Sequence, residues 1–211
     1  MSATNAVFYI SILVMSIVIH EVAHGFAAEY FGDRTARFAG RLTLNPLKHL
    51  DLFGSILLPV VLVLSHSPFL FGWAKPVPYN PDNLTNRKWG TLAVASAGVL
   101  ANFFIAIIFG IIIRLTSDMA LPEGFYFITS IIVLLNLGLA IFNLVPIPPL
   151  DGSRVISSLL PPPLTYSLFQ IERWGTLIIL ALYFSGILMK VLVPGVDFFA
   201  RLLNVPQINL T

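Results

Sequence analysis

The sequence predicts an all-α polytopic membrane protein, with about four to five transmembrane helices, a small membrane-associated β-sheet and a re-entrant hairpin. Three observations carry this. Of 211 residues, 57% are apolar and only 10% charged, with a mean hydropathy of +0.88. Several runs reach the about 20 apolar residues that a span requires. Prolines and short polar stretches divide those runs, and what lies between them is too short for a soluble domain. Residues 1–211 therefore read as one integral-membrane domain. The formal charge of +2 is too small to point to a nucleic-acid partner. With no cysteine in the chain, the redox compartment is not readable, and any zinc site must be built from histidine and carboxylate.

The first helix is expected over residues 5–30. Met1 to Asn5 lack a basic n-region, and the apolar run from Ala6 to Ile19 continues straight into His20-Glu21-Val22-Ala23-His24. The segment therefore reads as a retained span and not as a removable signal. Positions i and i+4 share a helix face, so His20 and His24 can grip one metal ion, with Glu21 beside them to take a proton from an activated water. In a soluble helix this pattern is often a solvated face. Within a lipid-facing helix, ionisable groups are costly and mark function by default. A structural metal site or a polar knot between helices is the remaining bland reading. Glu29 lies near the membrane boundary at a spacing from His24 that fits no zinc pattern.

Residues 34–44 alternate apolar and polar side chains with the two-residue period of a half-buried strand. Asn45-Pro46 ends the run. His49 and Asp51 in the polar stretch 47–51 read as interfacial surface residues. Residues 52–72 are apolar but carry Pro59 in the middle and Ser65-His66-Ser67-Pro68 near the end, so they form either a span or a hairpin that enters and returns. His66 reads as a loop residue. Pro76, Pro78 and Pro81 keep 73–81 extended, at most as an edge strand.

A helix over 90–114 carries the small residues Ala93, Ala95, Ser96, Ala97, Gly98 and Ala101, which let helices approach closely in lipid. Asn102 is its one amide. It reads equally as an interhelical hydrogen bond or as a catalytic group, and the two are compatible. The next helical region, 125–160, breaks at Asn143-Leu144-Val145-Pro146-Ile147-Pro148-Pro149-Leu150-Asp151-Gly152. Its prolines cannot continue a helix, and an open backbone at membrane depth is tolerated where it lines a cavity or is buried in protein. A last span is expected over 171–191 and an amphipathic surface helix over 196–205.

Catalytic zinc usually has three protein ligands. Asp151 is the downstream carboxylate in a deeply apolar setting, and so the best third partner for His20 and His24. Ligands must share one depth. Both the histidines and Asp151 lie toward the C-terminal ends of their helices, so those helices must run parallel. That requires 52–72 to be re-entrant, or otherwise not to cross; a late-starting span centred near residue 150 is the alternative. The charges agree. Arg34, Arg37, Arg41, Lys48, Lys75, Arg87 and Lys88 then fall on one side, whereas the opposite loop, 115–124, has no Lys or Arg. The positive-inside rule makes the basic side cytoplasmic and places the metal nearer to it. Lys190 and Arg201 run against the trend.

These residues resemble the site-2 protease family of intramembrane zinc metalloproteases. The matches are HEVAH at 20–24, NLVPIPPLDG at 143–152, and Gly98 with Asn102, where the family typically shows Gly-Pro-x-x-Asn and this chain has Val99 after the glycine. RLTLNPLKHLD at 41–51 and GWAKPVPYNP at 72–81 look like the compact bacterial branch, and nothing resembles the family's PDZ or CBS domains. The resemblance implies that His20, His24 and Asp151 bind one Zn2+ and that Glu21 is general base and then acid. It implies that Asn102 positions substrate or stabilises the oxyanion, and that extended segments near 36–44 and 73–79 form a sheet receiving substrate. The implied substrates are transmembrane segments of other proteins, cut within the bacterial cytoplasmic membrane. A catalytically silent zinc-binding scaffold is the alternative, disfavoured by the intact Glu21. A metal transporter is disfavoured because the polar residues cluster at one depth.

Overall fold

The computed structural model describes residues 3–57, 60–61, 64–65 and 74–206. The described chain winds into α1 (Ala3–Tyr30), α2 (Thr35–Phe38), α3 (Arg87–Thr116), α4 (Glu123–Leu144), α5 (Asp151–Leu159), α6 (Pro162–Phe184) and α7 (Ile187–Leu202). In lipid, an α-helix satisfies every backbone donor and acceptor within the segment, so the long apolar runs have no cheaper state. Asn86 caps α3 by accepting the Trp89 N–H at 3.1 Å. Pro146 and its neighbours stop α4, and Pro161 stops α5.

Three of these helices, α1 from Asn5, α3 and α4, are long and apolar enough to cross a membrane. A fourth span exists only if α6 and α7 count as one, and they meet at 77°. The described residues thus hold three or four candidate spans rather than four to five. The cause lies at Gly186, whose φ of +75° turns the chain where the sequence pattern continued a span to residue 191. The 196–205 segment expected at the surface is largely the end of α7. Phe199 packs on Phe103 with ring centroids 5.2 Å apart, and Ala200 joins Ala106, Ile113, Val133 and Leu137 in the core. Small residues set the helix spacing, as expected. A Cβ on Gly110 of α3 would come within 2.9 Å of the Leu203 Cβ.

The expected β-sheet is absent: no strand occurs among the described residues. Local turn chemistry overrides the alternation of 34–44. The Asp33 carboxylate accepts the Thr35 N–H and hydroxyl, which starts α2. Gly40, at φ +64°, ends it, with Gly40 N–H donating to the Arg37 carbonyl and Arg41 N–H to that of Ala36. The 74–80 segment is extended but pairs with no strand. Two of its donors point inward, Lys75 N–H to the His49 carbonyl and Val77 N–H to the Glu21 carboxylate. Pro76 and Pro78 have none to offer. Asp33 also takes the Asn80 N–H and the Asn83 amide, tying this segment to the end of α1. Burial alone would raise its pKa, but these hydrogen bonds hold it below the usual carboxylate range.

The direction of the helices follows from paired contacts. Along α1, His20 meets Asn102 and His24 meets Val94, so α3 runs antiparallel to α1. A short connection returns the chain as α4, parallel to α1. The 31–86 segment starts and finishes at one end of the bundle, because the Thr85 N–H and hydroxyl both donate to the Phe31 carbonyl, at 2.8 and 3.1 Å. α3 therefore starts beside the end of α1. Leu52–Leu57 wind as a π-helix that Asp51 caps through the Phe53 and Gly54 N–H groups. Residues 58–59, 62–63 and 66–73, which include His66 and much of the expected hairpin, lie outside the described residues.

Candidate metal centre

On α1, His20 and His24 lie one turn apart, their rings edge to face with centroids 4.6 Å apart. Their Nε2 atoms are 3.0 Å apart. Asp151, the first residue of α5, places Oδ2 3.1 Å from His20 Nε2 and 3.3 Å from His24 Nε2. The broken segment makes this possible. Ile147 N–H bonds back to the Val145 carbonyl and Leu150 N–H to that of Ile147, coiling the chain tightly between α4 and α5. Gly152 permits the approach, because a Cβ there would run into the Leu144 carbonyl.

Each imidazole is held from behind. His20 Nδ1 lies 2.5 Å from Asn102 Oδ1, and His24 Nδ1 lies 2.6 Å from the Val94 carbonyl. Both partners accept, so each Nδ1 carries the proton of its neutral ring and each Nε2 presents a lone pair. Asp151 Oδ2 is buried and receives no hydrogen bond. Three lone pairs thus converge within 3.3 Å, an arrangement that a cation between them relieves. Ligand atoms on a tetrahedral zinc, with bonds of about 2.0–2.1 Å, sit about 3.3 Å apart. The donor set and its spacing fit that ion.

Glu21 does not join the cluster as a ligand; one of its oxygens accepts the Val77 N–H at 2.8 Å. Asn102 is fully buried, with Oδ1 toward His20 and Nδ2 donating to Asn136 Oδ1 at 2.8 Å. The residues set aside in the sequence have other partners. His49 Nε2 donates to the Thr43 carbonyl, Asp51 caps a turn, and Glu29 pairs with Arg37. Asn136 went unnoticed, although an amide inside an apolar span was the very signal that singled out Asn102.

The family model described as peptidase family M50 matches residues 8–120 and 110–186. This chain belongs to peptidase family M50. That is the site-2 protease family its motifs resemble, and with its apolar helices the chain is an integral membrane protein. It is 39% identical over 188 residues to the putative zinc metalloprotease YwhC of Bacillus subtilis, covering 86% of this chain and 82% of that one. It is 30% identical over 179 residues to the putative zinc metalloprotease Rip2 of Mycolicibacterium smegmatis, covering 84% of this chain and 66% of that one. For Rip2 of Mycobacterium tuberculosis strain H37Rv the identity is 28% over 172 residues, with 82% and 64% covered. No solved structure matches the chain.

Within this M50 chain, Gly98 brings the α3 backbone hard against the two imidazoles. A Cβ on Gly98 would lie 2.5 Å from His24 Nε2 and 2.6 Å from both Cε1 and Nε2 of His20. Rings fixed from behind have nowhere to go, so Gly98→Ala should push α3 away or turn the rings off their common point. Overpacking of this kind costs about 1–3 kcal/mol, so zinc affinity should fall roughly 10- to 100-fold. A competition titration with a chromophoric chelator reads this, and unchanged affinity would show that the rings are not confined.

Proposed function

We propose that this chain is an intramembrane zinc endopeptidase that hydrolyses peptide bonds in transmembrane segments of other membrane proteins. The observation that carries the reading is the trio of proton-free ligand atoms from His20, His24 and Asp151, buried among helices long enough to span a bilayer. When bound there, zinc lowers the pKa of a ligated water to about 7 and polarises a carbonyl. Glu21, beside the ligands on α1, takes the proton from the attacking water and returns it to the leaving amine. A peptide bond in a membrane helix is shielded by its own side chains and hydrogen bonds, so the substrate must unwind locally before it is cut. The open backbone of 143–150 offers water a way to the buried site. By the positive-inside rule the basic segments beside the metal end face the cytoplasm, with the N-terminus outside.

The test is cleavage of a single-span reporter protein in proteoliposomes. Stripping the metal with a membrane-permeant chelator should abolish cleavage, and one equivalent of zinc per chain should restore it. Cleavage that persists in the stripped protein, or a reconstituted protein that holds no zinc, would overturn the reading.

A further inference from the structure

Three buried side chains lead away from the metal centre in one unbroken direction of hydrogen-bond donation. His20 Nδ1 faces Asn102 Oδ1, Asn102 Nδ2 donates to Asn136 Oδ1, and Asn136 Nδ2 donates to Ser16 Oγ at 2.9 Å. Asn102 and Asn136 are fully buried and Ser16 is nearly so, so no solvent competes for these groups. The chain crosses three helices, from α1 to α3 to α4 and back to α1.

An asparagine amide can be turned end for end, so something must decide which way each one points. The decision is made at Ile132. Asn136 Nδ2 also donates to the Ile132 backbone carbonyl at 2.8 Å, one turn earlier on α4. A backbone carbonyl only accepts, so Asn136 must aim its NH2 there and its oxygen toward Asn102. Asn102 must then answer with its own NH2, which leaves its oxygen for His20. His20 must in turn put its proton on Nδ1. A histidine side chain free in water prefers the opposite tautomer, which would aim a proton at the metal position.

We infer that Asn136, acting through Asn102, is a positioning residue that locks His20 in the tautomer able to bind metal. Asn102 accordingly orients a ligand rather than donating to a reacting oxygen. The inference rests on the zinc-centre reading above and adds to it a residue on α4 that touches neither metal nor substrate. His24 is set separately, by the Val94 carbonyl, so it serves as an internal control for the fold.

The experiment compares wild type, Asn136→Leu, Asn102→Leu and Asn102→Asp, each purified in detergent. Zinc affinity is measured by chelator competition, and the tautomers by 15N NMR of the zinc-free protein labelled at histidine. Outer-shell partners of metal ligands typically matter by about 10- to 100-fold in affinity. Both leucine variants should weaken zinc binding by that order, and His20 should shift toward the Nε2–H form while His24 keeps its Nδ1–H form. Asn102→Asp keeps an acceptor opposite His20 but loses the donor to Asn136 Oδ1, so its His20 should stay in the Nδ1–H form and it should bind zinc more tightly than Asn102→Leu. If Asn102 instead stabilises an oxyanion, all four proteins bind zinc alike, and only turnover suffers. Unchanged affinity and unchanged tautomer in Asn136→Leu would overturn the inference and leave the zinc centre standing. Failure of the wild type itself to bind zinc would overturn the underlying reading, while the tautomer spectra of the zinc-free protein would still report on the relay.

Discussion

Glu21→Gln should lower turnover of a membrane-embedded reporter by about 10²- to 10⁴-fold, the range that a positioned general base contributes. Zinc content should stay at one per chain. The substitution is chosen for what it preserves. A glutamine oxygen can still accept the Val77 N–H, which one Glu21 oxygen accepts at 2.8 Å, so the 74–80 segment keeps its anchor on α1. The ligand atoms of His20, His24 and Asp151 are untouched. What disappears is a group able to take and return a proton. Turnover in proteoliposomes, with zinc measured on the same samples, separates the outcomes. Full activity would remove Glu21 as the base, and loss of zinc would make it a ligand.

Asp151→Ala should abolish stoichiometric zinc binding, with an affinity loss larger than the about 10- to 100-fold typical of an outer-shell partner. It should also change how the protein responds to the metal. Without a cation, the wild type holds a carboxylate oxygen 3.1 and 3.3 Å from two nitrogen lone pairs, so part of its folding free energy opposes that crowding. Alanine relieves it. An acidic residue in the first turn of α5 contributes only about 0.3–1 kcal/mol through the helix dipole, so the zinc-free variant should be about as stable as the zinc-free wild type. The rise in melting temperature on adding zinc should then occur in wild type and vanish in Asp151→Ala. Tight zinc binding by the variant would remove Asp151 from the ligand set.

Much of this centre was legible because metal chemistry is strict about spacing. HEVAH fixes two ligands on one helix face. The deeply apolar setting of Asp151 marked it as the third candidate, and the demand that all three share one depth then implied that α1 and α4 run parallel. The β-sheet was misread for the opposite reason. A period of two states only which side chains could face the same way, and over 34–44 the Asp33 cap and the positive φ of Gly40 settled the backbone first. The bend at Gly186 was hidden in the same way, since hydropathy runs across it without a change. Asn136 shows a third kind of limit. Its partners Ser16 and Asn102 are far from it in the chain, and only packing brings the three together.

The ligands of the centre are themselves widely separated in the chain. His24 and Asp151 stand 127 positions apart (151 minus 24), and synthesis proceeds at about 5–20 residues per second. A growing chain therefore carries its two histidines for roughly 6 to 25 seconds before the carboxylate is made. During that interval the first helix enters a bilayer crowded with other nascent spans without a complete set of zinc ligands. Splitting the donors between α1 and the far side of a proline-broken helix thus times the completion of the ligand set to the late stages of assembly.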